Sequence, residues 1–229
     1  MSKLSDIKIY NADCMEVFKS IPDESVDLLL TDCPYHIVSG GCTNDHVKIG
    51  RSKKRESHGG CYVGDTKHVN LGGIFDEFDE WCYTKDGALF KHNNIEFSEW
   101  LPEAYRILKN GTHAYIMINP RNLKDLWQAA EDAGFVYQNI LIWDKGNVTP
   151  NKWYMQGYEM VLMLRKGKAK NINNMGTSNI LRVPNIIGKK MHPTEKPADL
   201  MQIMVENSTK EGEVVIDPFS GTGGGRSGL

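Results

Sequence analysis

Val26-Asp27-Leu28-Leu29-Leu30-Thr31-Asp32-Cys33-Pro34-Tyr35 is the stretch whose reading decides the fold. Its apolar run is short and nearly continuous, with Pro22-Asp23-Glu24-Ser25 as a turn before it and Pro34 after it. That pattern describes a strand buried on both faces. A second run, Val214-Val215-Ile216, leads into Asp217-Pro218-Phe219-Ser220-Gly221-Thr222-Gly223. Each motif thus sits where a buried parallel strand ends, and in an open α/β sheet that edge is where ligands bind. The first motif offers a carboxylate, a backbone carbonyl and an aromatic face. The second offers a glycine-rich turn that lets a ligand approach the backbone. It is not a P-loop, since no Gly-Lys-Ser/Thr follows, and it lacks the Gly-x-Gly-x-x-Gly dinucleotide fingerprint.

Outward from these motifs, the chain alternates strands with helices. Lys8-Ile9-Tyr10 reads as a short strand and Met15 to Ile21 as a short helix. Phe97, Trp100, Leu101, Ala104 and Leu108 recur at helical spacing, with Asn110-Gly111 as the stop. Thr112 to Ile118 reads as a strand, Leu123 to Ala133 as a helix ended by Gly134, and Phe135 to Trp143 as a strand whose hairpin partner is Tyr158 to Leu164. Ala198 to Asn207 reads as a helix and Val214 to Asp217 as the last strand. The alternation predicts a mostly parallel sheet. Residues 37–94 resist a regular reading, with glycine pairs at Gly40-Gly41, Gly59-Gly60 and Gly72-Gly73. An irregular stretch of that length is more often a functional lid or binding loop than ordinary packing.

Composition bounds the function. The 229 residues suffice for one α/β domain with an insertion, and 40% apolar with 24% charged residues can build a core. A formal net charge of −2 confines any nucleic-acid surface to a local patch. There is no apolar run of membrane-spanning length, nor an apolar N-terminal leader, so a cytoplasmic protein without membrane contact is expected. Five cysteines, an odd number at wide spacing, fit reduced thiols. Cys33, Cys42, Cys61 and Cys82 lie among His36, His46, His58 and His68, but no Cys-x-x-Cys pair occurs and no metal is expected.

The ordered set of motifs resembles the β class of DNA amino-methyltransferases over almost the whole chain outside residues 37–94. Asn11-Ala12-Asp13 is similar to the segment that meets the cofactor's adenine. Asp32-Cys33-Pro34-Tyr35 resembles the family's Asp-Pro-Pro-Tyr catalytic motif. The helix ending Arg106 to Gly111, Ile142 to Lys145, Tyr158-Glu159 and His192-Pro193-Thr194-Glu195-Lys196-Pro197 stand where similar residues stand in the family. Asp217 to Gly223 resembles its cofactor loop. The resemblance implies a Rossmann-like methyltransferase fold with circularly permuted motif order, catalytic motif first and cofactor loop last.

It also implies an activity: transfer of a methyl group from S-adenosylmethionine to the N6 of a flipped-out adenine. Asp at the first motif position resembles adenine-specific members; cytosine N4 is the alternative target. Asp32 and the Cys33 carbonyl would accept the two amino hydrogens, and Tyr35 would stack on the base. Pro34 still restricts Cys33 to an extended conformation, so the usual proline is replaceable at Cys33 and its thiol is not a nucleophile. Asp217, Phe219, Ser220, Gly221, Thr222 and Gly223 would surround the cofactor's amino-acid end, with Thr194, Lys196 and Asp32 beside it. Asp13 would accept from the adenine amino group. Two readings stay open: Asp13 also suits a helix N-cap, and Lys196 a solvated loop lysine.

Double-stranded DNA is the partner that the resemblance implies, and a homodimer is allowed. Lys48, Arg51, Lys53, Lys54 and Arg55 form a basic run suited to phosphate contacts, or simply a solvated loop. Residues 145–190 carry further lysines and occupy the place of the family's target-recognition segment, within a single domain spanning 1–229. Family members continue past the cofactor loop with a helix, a strand and a ribose-binding acid. Gly224 to Leu229 does not supply them, so an incomplete C-terminal part and weakened cofactor binding are expected, with a catalytically weak DNA-binding form as the other reading.

Overall fold

The structure, a computed structural model, describes residues 7–34, 95–149, 154–186 and 196–220. In chain order these form α1 (Cys14–Ser20), β1 (Val26–Asp32), α2 (Phe97–Ile107), β2 (Leu108–Ile118), α3 (Leu123–Asp132), β3 (Val136–Thr149), β4 (Gln156–Arg165), β5 (Ile180–Arg182), α4 (Ala198–Ser208) and β6 (Val215–Ile216). The strands make one sheet in the order β5-β3-β4-β2-β1-β6. β1 pairs in parallel with β2 and β6, and β3 with β5, while β4 is antiparallel to both of its neighbours. The mostly parallel sheet is therefore observed, with β4 as the reversed strand. The reversal follows from the β3–β4 hairpin, because a short connection joins only antiparallel neighbours.

Strand alternation sends Leu28, Leu30, Tyr115, Met117, Val161 and Met163 to one face, against Leu200, Met201, Met204 and Val205 of α4. The alternate residues Leu29, Ala114, Ile116, Leu162 and Leu164 are equally buried. They face the opposite side, where α2 and α3 bury Trp100, Leu101, Ala104, Leu126 and Ala130. Both faces of the sheet are thus covered, which is why β1 reads as a continuous apolar run.

Charged and polar side chains tie the layers together. The Lys166 ammonium donates to the carbonyls of Tyr105 (2.9 Å) and Leu108 (2.7 Å) and lies 4.7 Å from the Tyr105 ring centre. It thereby satisfies carbonyls that the end of α2 leaves open. The Arg106 guanidinium donates to the Phe18 and Ile21 carbonyls and pairs with Glu103 and Asp23, fixing α1 on α2. The buried His113 ring bridges Ser208 Oγ and the Lys170 carbonyl, both at 3.0 Å. Since a carbonyl only accepts, Nε2 carries the proton and Nδ1 accepts from Ser208. Burial pulls the His113 pKa down, consistent with that neutral ring.

The structure departs from the sequence reading in several places. α2 ends at Ile107 and passes directly into β2, so Asn110-Gly111 lies within the strand. The turn chemistry survives as a bulge: Val26 pairs with Leu108 but Leu28 with His113, and Gly111 has φ +86°. Residues 7–10 form no strand; Ile9 and Tyr10 are exposed, and no burial offsets the entropy of ordering them in a ladder. β3 runs on to Thr149, and β5 adds a short edge that no periodicity announced.

Gly134 ends α3 as read. Its N–H donates to the Glu131 carbonyl and that of Phe135 to Ala130, a Schellman closure with Gly134 at φ +103°. An added Cβ would meet the Tyr105 ring at 3.0 Å. Gly134→Ala is expected to destabilise the fold by about 1–2 kcal/mol, the cost of left-handed backbone for a side-chain residue, measurable by urea denaturation.

Candidate active site

β1 and β6 run side by side, with Leu28 opposite Val215 and Leu29 opposite Ile216. Asp27, buried within the apolar run, fixes this register. Its carboxylate accepts from the Val214 N–H (3.0 Å) and from the Lys109 ammonium (2.8 Å to each oxygen). At the other end of the strands, the Thr31 hydroxyl donates to Asp217 Oδ1 at 2.6 Å. The Phe219 N–H donates to the same oxygen at 3.1 Å, shaping the turn that follows β6. Phe219 meets Trp100 edge-on, ring centres 5.1 Å apart, and the Trp100 indole N–H is buried without a hydrogen-bond partner among the described residues.

Lys196, just ahead of α4, is buried and donates to Asp32 Oδ2 at 2.6 Å. The same ammonium lies 3.5 Å from Glu159 Oε2, whose other oxygen is 3.4 Å from Lys145 Nζ. Because β4 is reversed, its beginning carries Glu159 to the edge where β1 and β3 end. Aspartate, lysine, glutamate and lysine therefore alternate along this edge. Removing one partner of a buried pair costs about 3–5 kcal/mol, because a charge is left uncompensated. The partial exposure of Asp32 places Asp32–Lys196 toward the lower end.

The structure thus gathers Asp32, Lys196, Asp217 and Phe219, four of the residues singled out in the sequence. Cys33 and Pro34 follow Asp32 directly and Ser220 follows Phe219. Asp13 takes its capping role, Oδ1 accepting from the Met15 N–H at 2.8 Å. Tyr35, Thr194, Gly221, Thr222, Gly223 and the basic run Lys48, Arg51, Lys53, Lys54 and Arg55 lie outside the described residues, as does the irregular stretch 37–94. Thr31 was not singled out, and Lys145 and Glu159 only as part of the resemblance. Their sequence signal is a polar group at the margin of an apolar strand.

A family profile described as DNA methylase matches residues 26–224. The chain belongs to the N6-adenine/N4-cytosine DNA methylase family. It is 26% identical over 238 residues to the type II methyltransferase M.HinfI of Haemophilus influenzae, an alignment covering 94% of this chain and 59% of that protein's length. Its fold is similar to that of M1.HpyAVI, solved as a complex with S-adenosylmethionine (TM-score 0.59, 21% identity, 95% of this chain and 84% of that one). It is likewise similar to the cytosine-N4-specific PvuII DNA methyltransferase (TM-score 0.61, 14% identity, 95% and 75%). The methyl donor of this methylase family is S-adenosylmethionine. No helix among the described residues is long and apolar enough to cross a membrane, and none of them form a metal-binding cluster.

Two ionisable groups of this methylase edge are strongly shifted. The Cys33 thiol is buried and donates weakly to the Met117 carbonyl at 3.8 Å. Burial, with Asp32 adjacent, pushes its pKa well above the ordinary thiol value. It is a protonated thiol, poorly suited to nucleophilic attack. The Asp217 residue is partly exposed, but its carboxyl is enclosed. Burial raises its pKa from 3.8 to about 6, with the nearby Asp32 charge adding to the rise and the Thr31 and Phe219 hydrogen bonds opposing it.

An enclosed carboxyl beside a second carboxylate suits a cationic ligand group, so the residues present fit the ammonium and sulfonium of S-adenosylmethionine. By contrast, a groove of about 440 Å³ lined by Tyr115, Asn139, Met163, Thr177 and Asn207 has no carboxylate, ammonium or imidazole in its lining. It does not compete as the reaction site.

The Asp217 shift has a defined sign. Its folded-state pKa exceeds the unfolded value, so its contribution to stability is lost as pH rises from about 4 through about 6. Asp217→Asn keeps an oxygen acceptor for Thr31 and Phe219 without the charge. The variant should match the native chain near pH 4 and exceed it at pH 7 by roughly 1–3 kcal/mol, read from urea titrations at both pH values.

Proposed function

We propose that this chain transfers a methyl group from S-adenosylmethionine to the exocyclic N6 of an adenine flipped out of duplex DNA. One observation carries this reading: Asp32, held by Lys196 at the end of β1, stands one strand from Asp217 at the end of β6. When bound, S-adenosylmethionine supplies a methyl group on an electrophilic sulfonium. Asp217, with Phe219, Ser220, Gly221, Thr222 and Gly223, forms the binding surface for its amino-acid end, and Thr194 and Lys196 complete it.

The amino nitrogen of adenine is a weak nucleophile, since its lone pair is delocalised into the ring. Asp32 and the Cys33 carbonyl accept its two hydrogens and favour a pyramidal nitrogen whose lone pair faces the methyl group. Asp32 thereby also stabilises the positive charge that grows on the nitrogen. As the nitrogen–methyl bond forms, the sulfonium–methyl bond breaks to leave a thioether, and the methylated nitrogen releases one proton along its hydrogen bond to Asp32. Tyr35 stacks on the flipped base, returning about 1–3 kcal/mol of the flipping cost. Lys48, Arg51, Lys53, Lys54 and Arg55 of the 37–94 insertion contact phosphates, and residues 145–190 contribute to target recognition.

The test is nucleoside mass spectrometry after incubating duplex DNA with the chain and isotopically labelled S-adenosylmethionine. Label on adenine N6 is expected. Label on cytosine N4 would replace the base, and none on either would overturn the reading. Asp32→Asn should lower the rate by about 100-fold or more, as removal of a group that meets developing charge does elsewhere. Cofactor affinity should weaken about tenfold per pH unit below about 6, because Asp217 must first lose its proton. Calorimetry across pH 5–8 checks this, and a flat profile would remove Asp217 from the cofactor site.

A further inference from the structure

We propose that Glu159 is a positioning residue for methyl transfer, holding the Lys196 ammonium where it orients the Asp32 carboxylate. The inference rests on the reading of Asp32 given above. Lys196 is a long, flexible side chain, buried along most of its length, with two carboxylates in reach: Asp32 at 2.6 Å and Glu159 at 3.5 Å. A lysine that paired with Asp32 alone could follow the carboxylate through its rotamers, because an ammonium is a compact charge with rotatable donors. A second carboxylate within 3.5 Å limits that motion.

Glu159 is itself fixed. It lies near the start of the reversed strand, pairs with Trp143 across the β3–β4 ladder, and its Oε1 lies 3.4 Å from Lys145 Nζ. The consequence falls on one atom. Lys196 donates to Asp32 Oδ2 and so fixes how the carboxylate is presented to the amino group of the target base. Orientation of this kind affects the chemical step more than ground-state binding.

The experiment is a double-mutant cycle on the full chain, with kcat and the KM for DNA measured separately. Glu159→Gln keeps the shape and a hydrogen-bonding end but removes the charge. It should lower kcat about tenfold while KM for DNA stays within about twofold. In a Lys196→Met background, Glu159→Gln should lower kcat by less than about twofold, since its route to Asp32 is gone. Glu159→Gln with native kcat, a loss confined to KM, or losses that multiply in the double variant would each overturn the proposal. Asp32→Asn is assayed in parallel. If it stays active, the reading of Asp32 fails; if it is inactive and Glu159→Gln is native-like, the positioning role alone fails.

Discussion

The register of β6 against β1 is the constraint on which the catalytic edge depends. β6 is only two residues long, too short for ladder hydrogen bonds alone to specify a register. Asp27 supplies the missing specification, taking the Val214 N–H on one oxygen while Lys109 neutralises the carboxylate. A shift of one residue would turn Asp217 to the opposite face of the sheet and away from Thr31. A buried acid at the bottom of the sheet thus decides which acid stands at its top.

At that top edge the polar groups act as a set. Asp32 and Asp217 lie close enough for one to raise the pKa of the other, and among the described residues Lys196 pairs with Asp32 and not with Asp217. The same residue type is therefore held in two electrostatic conditions: one carboxylate paired with an ammonium, the other with its pKa raised to about 6 by burial. Environments that push like groups apart are how a site assigns them different tasks. The buried Cys33 fits the same logic, because its backbone is what the site uses and its thiol is kept protonated.

Much of this was legible in the chain. Continuous apolar runs marked β1 and β6, and the polar motifs after them marked the edge where Asp32 and Asp217 stand, because strand ends at a covered parallel sheet have few alternatives. The glycine at 134 fixed a helix end, since its left-handed φ leaves little choice of residue. Three kinds of feature escaped. The short β5 depends on its parallel pairing with β3, a contact distant in sequence. The Asn110-Gly111 turn was visible, but nothing local says that it bulges a strand rather than ending a helix. Glu159 lies 14 residues from Lys145 and far along the chain from Asp32 and Lys196, so only the reversed strand reveals their common edge.

The β3–β4 hairpin carries an evolutionary corollary. Both strands are pinned by ladders on either side, β4 to β2 and β3 to β5, so their positions do not depend on the connection between them. Loop-closure entropy grows only slowly with length. The connection after Thr149 can accordingly be exchanged or lengthened while Glu159 and Lys145 stay in place. Within such a scaffold, changes in the connection and changes at the catalytic edge are separable by mutation. A lineage could then alter what the hairpin touches without rebuilding the chemistry beneath it.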